Sequence, residues 1–428
     1  MAQWNSSNTS HHPVVGIAPQ SPSRLSNVMG DFSASQSEDC LGLTIWTPTG
    51  TAEGKLRPVL FWLHGGAFMT GAGALDWYDG STLCHEGDIV VVSPNYRLGA
   101  FGFLFQPGLS PGNLGLLDAE MALRWTRENI RNFGGDPDRI TVMGQSAGAW
   151  LAAVMAARME VDSPPIHQLI LQSGPIGIAP SKESNALKMA EFFLGGLADE
   201  KNPKTTAQMA RDATVQSVLK AQNAAIQALG LSLTEPGRPP VPFGLVSDGI
   251  QLPFHDHYWH YLAKASARLP VMAGWTHDEM GAFNPIEQAS TASSANAHVA
   301  AQVFEAPTVK WAQGARSAGK AAFVYSFDWA PANSPFGACH CIELPFVFGT
   351  TRAFSSAPML GSTPSGMLDK LSIQVRSAWL AFIQWGDPNH TDQNDRLPQW
   401  PLFDPAKETV MHIHQQSRLT HLTAAQAG

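Results

Sequence analysis

Residues 140–150 read ITVMGQSAGAW, an apolar run entering Gly144-Gln145-Ser146-Ala147-Gly148 and then an Ala-rich helical stretch. Glycines two before and two after a serine permit a sharp strand-to-helix turn, which lifts the hydroxyl above a sheet as a nucleophile. The helix beginning just after Ser146 adds a positive dipole end where negative charge would develop. The plainer reading is a serine helix cap in a small-residue turn; a strand before GxSxG and a helix after it favour the nucleophile. Upstream, VLFWLHGGAFMTG places His64-Gly65-Gly66-Ala67 after another apolar run. Small residues there let backbone amides approach a substrate oxygen, as an oxyanion hole requires. A third stretch, GACHCIE at 337–343, holds His340 between Cys339 and Cys341. From local spacing alone His340 is a thiolate-flanked metal ligand, a bystander beside a redox pair, or a catalytic base.

These stretches need a frame to bring them together. Val59–Leu63, Ile89–Ser93, Ile140–Met143, Leu169–Gln172, Val271–Gly274 and Phe323–Phe327 are short and almost continuously apolar, the pattern of strands covered on both faces. Between the third and fourth lies a helical stretch, DAEMALRWTRENIRNF, with Leu117, Met121 and Trp125 at helical spacing and GGDP to close it. Leu368–Trp385 is a second helix, stopped by GDPN. Strand–helix alternation of this kind specifies a doubly wound, mostly parallel α/β sheet. Residues 1–36, rich in Ser, Asn, Pro and His, read as a loosely packed arm. Residues 37–428 then form one domain, with helical cap insertions at about 181–240 and 280–320.

The chain of 428 residues is 44% hydrophobic and only 14% charged, enough apolar material for a large core. A net charge of −8 without long runs of one sign argues against nucleic acid or an anionic membrane as partner. The start lacks a basic region followed by an apolar one, no apolar stretch reaches bilayer length, and the four cysteines form no CxxC framework. Reduced thiols and a cytoplasmic location are the expectation. His255, His257 and His260 of HDHYWH read as a solvated turn entering a cap helix rather than metal ligands. His412 and His414 of MHIH read as one face of a surface edge strand.

Several ordered stretches resemble one family. SEDCLGLTIWTP, HGGAF, NYRLGAFGFL, the run from GNLGLLDAEMALRW to GQSAGA, LILQSG, GWTHDE and GACHCIELPFVFG are similar to the type B carboxylesterases, the group containing cholinesterases and bacterial para-nitrobenzyl esterases. The resemblance covers roughly residues 37–415 and implies an α/β-hydrolase fold and a cofactor-free, metal-free serine carboxylesterase with a Ser–Glu–His triad. It implies Ser146 as nucleophile, Glu279 of GWTHDE as acid with Asp278 as the weaker rival, and His340 as base. It implies the amides of Gly66, Ala67 and Ala147 as oxyanion donors, Gly65 as spacer, and Ser173 of QSG as a residue behind the triad. The substrate is then a small ester. The family also carries an amino-terminal hairpin region before the point where this sequence begins, Glu at the position of Gln145, and a longer interval between acid and base. A short interval implies a reduced cap and a preference for short to medium acyl chains. The competing readings are a catalytically inactive cholinesterase-like binding module, a metal-dependent hydrolase built on the His clusters, and a lipase-like esterase for long chains.

Overall fold

In a computed structural model of the chain, the described residues are 16–49, 55–159, 165–198, 206–230, 241–283, 294–390 and 396–421. A nine-stranded sheet runs through them. Its strands are β1 (Leu43–Trp46), β2 (Arg57–Leu63), β3 (Val90–Pro94), β4 (Gly135–Gln145), β5 (Gln168–Gln172), β6 (Val271–Thr276), β7 (Ala322–Phe327), β8 (Thr409–Ile413) and β9 (Arg418–His421). The spatial order is β1-β3-β2-β4-β5-β6-β7-β8-β9. Each internal pair is parallel, and only β1 on β3 and β9 on β8 are antiparallel. All six strands expected from the apolar runs are present, and the α/β-hydrolase architecture holds.

Alternation along each strand divides the core. Val59, Phe61 and Leu63 of β2 join Ile140 and Val142 of β4 on one face, whereas Leu60, Trp62 and Met143 face the other. Helices cover both faces, so the strands read as continuous apolar runs. The chain order reverses about β2, which has β3 on one side and β4 on the other. Leu63 lies opposite Gly144 at the carboxyl ends of β2 and β4, the crevice where ligands bind in such sheets.

Helix α1 (Leu114–Asn129) departs from the face its large apolar residues suggest. Met121 is exposed, and Leu117 and Trp125 are half-buried. The buried face is Gly115, Leu116, Ala119, Ala122, Leu123 and Thr126, together with Asp118. Small side chains let this helix pack closely, and Arg97 neutralises Asp118 with contacts of 2.6 and 2.7 Å. Helix α2 (Ala147–Arg158), which follows the serine, is buried along nearly its whole length.

Within 181–240, the described residues hold three helices, α3 (Glu183–Gly195), a short helix Thr206–Asp212 and α4 (Val215–Leu229), with α3 packed on α4; 199–205 and 231–240 lie outside the described residues. The histidines of HDHYWH occupy α5 (His255–Ser266) rather than a loop. In the later insertion, 284–293 lies outside the described residues. Helix α6 (Ala306–Ser317) packs on β6 and β7 as the crossover between them instead of capping the site. Helix α7 (Ser365–Trp385) matches the expected second long helix. Residues 16–36 are docked rather than loose: Ile17, Ala18 and Val28 are buried, and the Gln20 amide exchanges hydrogen bonds with Gly71 at 3.0 and 2.7 Å. A few buried side chains and one amide pair hold this segment without any periodic pattern. The strand of MHIH is internal, because β9 is the edge; His412 bonds Asp328 and Thr420, and His414 lies beyond the strand end. Among the described residues, no helix is long and apolar enough to cross a membrane.

Candidate active site

β4 ends at Gln145 and α2 begins at Ala147, so Ser146 makes the whole turn alone, at φ 56° and ψ −126°. A non-glycine residue held there is strained, which is tolerated where the surroundings over-determine it. The surroundings here are tight. A Cβ on Gly144 would fall 2.3 Å from the Gly148 carbonyl carbon, and one on Gly148 would fall 2.0 Å from the Leu63 carbonyl oxygen. The Ser146 amide donates to the Gln172 carbonyl at 2.9 Å, tying the turn to β5. The hydroxyl-bearing side chain thus stands at the carboxyl edge of the sheet.

Above it lies a cavity of about 60 Å³ lined by Ser146, Ala147, Gly66, Ala67 and His340. Five of the six residues singled out from sequence therefore share one wall. The sixth, Glu279, is fully buried behind it. The loop 64–70 folds on itself through hydrogen bonds from the Met69 and Thr70 amides to the Gly66 carbonyl, which leaves Ala67 at φ 55°. His64, the first residue of that loop, is no ligand. Its ring stacks on Tyr96 at 4.3 Å, and burial pushes its pKa down to about 4, so it is neutral at pH 7.

Glu279 and His340 come from separate loops, after β6 and β7, joined by a bridge between Asp278 and Cys339. Glu279 Oε2 accepts from His340 Nδ1 at 2.5 Å, while its Oε1 accepts from the Thr276 amide at 3.0 Å. The neighbouring Asp278 turns elsewhere, to His277 at 3.0 Å and the Ala338 amide at 2.8 Å. With the imidazole proton on Nδ1, Nε2 is an acceptor. The Gln145 amide nitrogen lies 3.2 Å from it and 3.3 Å from Cys341 Sγ. Phe283 and Phe304 flank the ring at 5.1 and 5.4 Å.

The two cysteines are packed thiols. Both are buried, and burial followed by the Glu343 charge raises their pKa values well above the ordinary range, so neither offers a thiolate. Among the described residues, no three His, Cys, Asp or Glu side chains converge as a metal site. His257 and His260 are exposed on α5, far from such convergence.

Four side chains at the site, Glu343, Arg24, Met29 and Phe32, were not singled out from sequence. Glu343 is fully buried; burial, then the charge of Glu279, pushes its carboxyl up to about 8. Gln172 donates to it at 3.4 Å and accepts from Trp379 at the same distance. Its position three after His340 was the only sequence signal, and an acid in a loop reads as solvated. Arg24, Met29 and Phe32 of the docked arm line the cavity, which no local pattern announces. Ser173, expected behind the triad, is buried with no hydrogen-bond partner for its hydroxyl.

The chain is similar to known proteins along most of its length. A family model described as the carboxylesterase family matches residues 2–302 and 287–427. A probable N-octanoylanthranilate hydrolase of Rhodococcus erythropolis is 37% identical over 93% of this chain and 86% of its own length. The para-nitrobenzyl esterase of Bacillus subtilis (strain 168) is 30% identical over 92% and 83%. A solved PNB esterase structure superposes with a TM-score of 0.77 at 28% identity, covering 96% of this chain and 87% of that one.

Proposed function

This chain belongs to the carboxylesterase family and is a carboxylic ester hydrolase, and we propose that Ser146, His340 and Glu279 carry its chemistry. The observation that supports the assignment most is the Glu279–His340 hydrogen bond of 2.5 Å behind a cavity that both His340 and Ser146 line. Glu279 holds the proton on Nδ1 and stabilises the imidazolium, so Nε2 is free to take the Ser146 proton. Gln145 has a second partner in Cys341 and can release Nε2 to the serine without leaving its amide unpaired. Ser146 attacks the ester carbonyl, and the amides of Gly66, Ala67 and Ala147 receive the oxyanion. His340 returns the proton to the departing alcohol, then activates the water that cleaves the acyl-enzyme. The substrate is a small ester, and the cavity of about 60 Å³ favours short to medium acyl groups. An inactive adhesion module does not fit the hydrolase relatives.

The test is a para-nitrophenyl ester series from two to sixteen carbons, run with and without fluorophosphonate pretreatment. Turnover should peak at about four to eight carbons, because each buried methylene adds about 0.8 kcal/mol only while apolar wall covers it. Mass mapping should place the label on Ser146. Rising kcat/KM out to sixteen carbons with activation at a lipid interface would instead mark a lipase-like enzyme.

A further inference from the structure

Beyond the catalytic cavity lies a second, larger chamber of about 510 Å³. Its size falls within the range of about 300–1,000 Å³ typical of small-molecule sites, whereas the cavity at Ser146 is far smaller. The two share Trp150, Ile178 and Val241 in their linings, so the partition is one side chain thick. Trp150 sits one helical turn after Ser146 on α2 and so shares its face. Its indole N–H donates to the Tyr258 hydroxyl at 2.7 Å, and its ring lies against Phe68 at 5.6 Å. The indole is thus a fixed plug rather than a loose side chain.

The side of the scissile bond that this chamber serves follows from the proton path. The alcohol must leave within reach of His340, beside Phe283 and Phe304. None of these three lines the chamber, which is walled instead by Leu104, Met189, Ile226 and Phe243. The chamber therefore continues the acyl side. At its outer end stand exposed Lys182 and Asn185 and half-buried His255, so it opens toward solvent.

We propose that Trp150 sets the acyl-length limit of the hydrolysis, and that the chamber behind it is a preformed subsite for long alkyl acyl groups which the indole shuts off. This rests on the reading of Ser146 and His340 above. The measurement is kcat/KM across para-nitrophenyl esters from two to sixteen carbons for wild type, Trp150→Ala, and Trp150→Ala combined with Ala186→Trp. Ala186 lines only the chamber, so the added indole refills it. In Trp150→Ala, kcat/KM should keep rising beyond eight carbons by up to about fourfold per added methylene, the factor for burying each one. Acetate hydrolysis should stay within about tenfold of wild type, and the double variant should lose the gain for long chains alone. Trp150→Phe, which keeps an aromatic core residue, guards against a variant that fails to fold and should give an intermediate limit. A chain-length profile that stops in both single variants at the wild-type length, while acetate turnover and fluorophosphonate labelling persist, overturns the chamber. So does a wild-type enzyme already most active on the longest esters. Failure of wild type to label at Ser146 would instead sink the catalytic assignment, a distinguishable result.

Discussion

Oε2 of Glu279 and Nδ1 of His340 meet at 2.5 Å, with the two side chains 0% and 1% exposed. A hydrogen bond to a charged partner is strongest where water is excluded, and removing one partner leaves the other unpaired in the interior. Glu279→Gln keeps the shape but removes the charge that stabilises the imidazolium. It also makes the wrong imidazole tautomer competitive. Turnover should fall by about 10³–10⁴. Asp278→Asn should cost far less in kcat, since Asp278 bonds His277 and the Ala338 amide instead. Comparing the two kcat values decides it; the reverse order would move the acid by one residue.

Ser146→Ala should lower kcat by roughly 10⁴–10⁶, the scale for losing a triad serine. The melting temperature should change little, because the side chain reaches a cavity rather than the core. A variant that retains near wild-type turnover, or still takes the fluorophosphonate, would place the nucleophile elsewhere.

Glu343 links this site to the pH dependence of stability. Its carboxyl is pushed up to about 8 from an ordinary 4.5 by burial and then by Glu279. Between those values the folded state holds a proton that the unfolded state has lost, so stability falls as pH rises, by up to about 1.4 kcal/mol per unit from this group. Below 4.5 both states are protonated and the effect vanishes. Glu343→Gln should remove that slope. Thermal melts from pH 5 to pH 9 should show the variant gaining on wild type as pH rises. Parallel curves would mean that Glu343 is not protonated in the fold.

How much of this was readable from residues alone depended on whether a side chain announced its environment. The elbow glycines and HGGA are short local patterns whose backbone demands survive in sequence, whereas Glu279 and His340 follow only from the family resemblance; five of the six positions line one cavity and Glu279 is buried beside His340. The large apolar residues Leu117, Met121 and Trp125 mark α1 as a helix but not its buried face, because close packing selects Gly115, Ala119 and Ala122. Asp118 also inverts the usual rule, buried only because Arg97 reaches it. Arg24 and Phe32 reach the cavity from an arm with no periodicity, and Trp150 as a partition depends on two hollows that exist only in three dimensions. Glu343 stayed hidden because an acid is ordinarily solvated.

The thiols beside His340 bear on the metal reading. Cys339 and Cys341 are buried and held protonated. Extended dialysis against EDTA should leave esterase activity intact, and brief iodoacetamide treatment of the native protein should modify neither residue. Loss of activity on chelation with recovery on adding zinc would revive a metal role for His340 and its neighbours.

The loop after β2 supplies the last prediction. A Cβ added at Gly65 would lie 2.5 Å from Gln145 Oε1, 2.9 Å from the Gln145 carbonyl and 3.1 Å from Ser146 Cβ. The first contact is the end of a flexible side chain and can yield, but the other two belong to the elbow itself. Gly65→Ala must therefore push the loop carrying Gly66 and Ala67 away from Ser146. Donors aimed at the oxyanion lose their alignment, and losing one such donor costs about 10²–10³ in kcat. Because ground-state binding relies on the apolar walls, KM should change much less than kcat. The Gln145 amide would also shift, and with it the contact to His340 Nε2 at 3.2 Å. Steady-state kinetics on a butyrate ester, with fluorophosphonate labelling as a check that Ser146 still reacts, separates the two effects. A fall confined to kcat, with slower labelling, is the expected result; unchanged kcat would show that the loop does not hold the oxyanion.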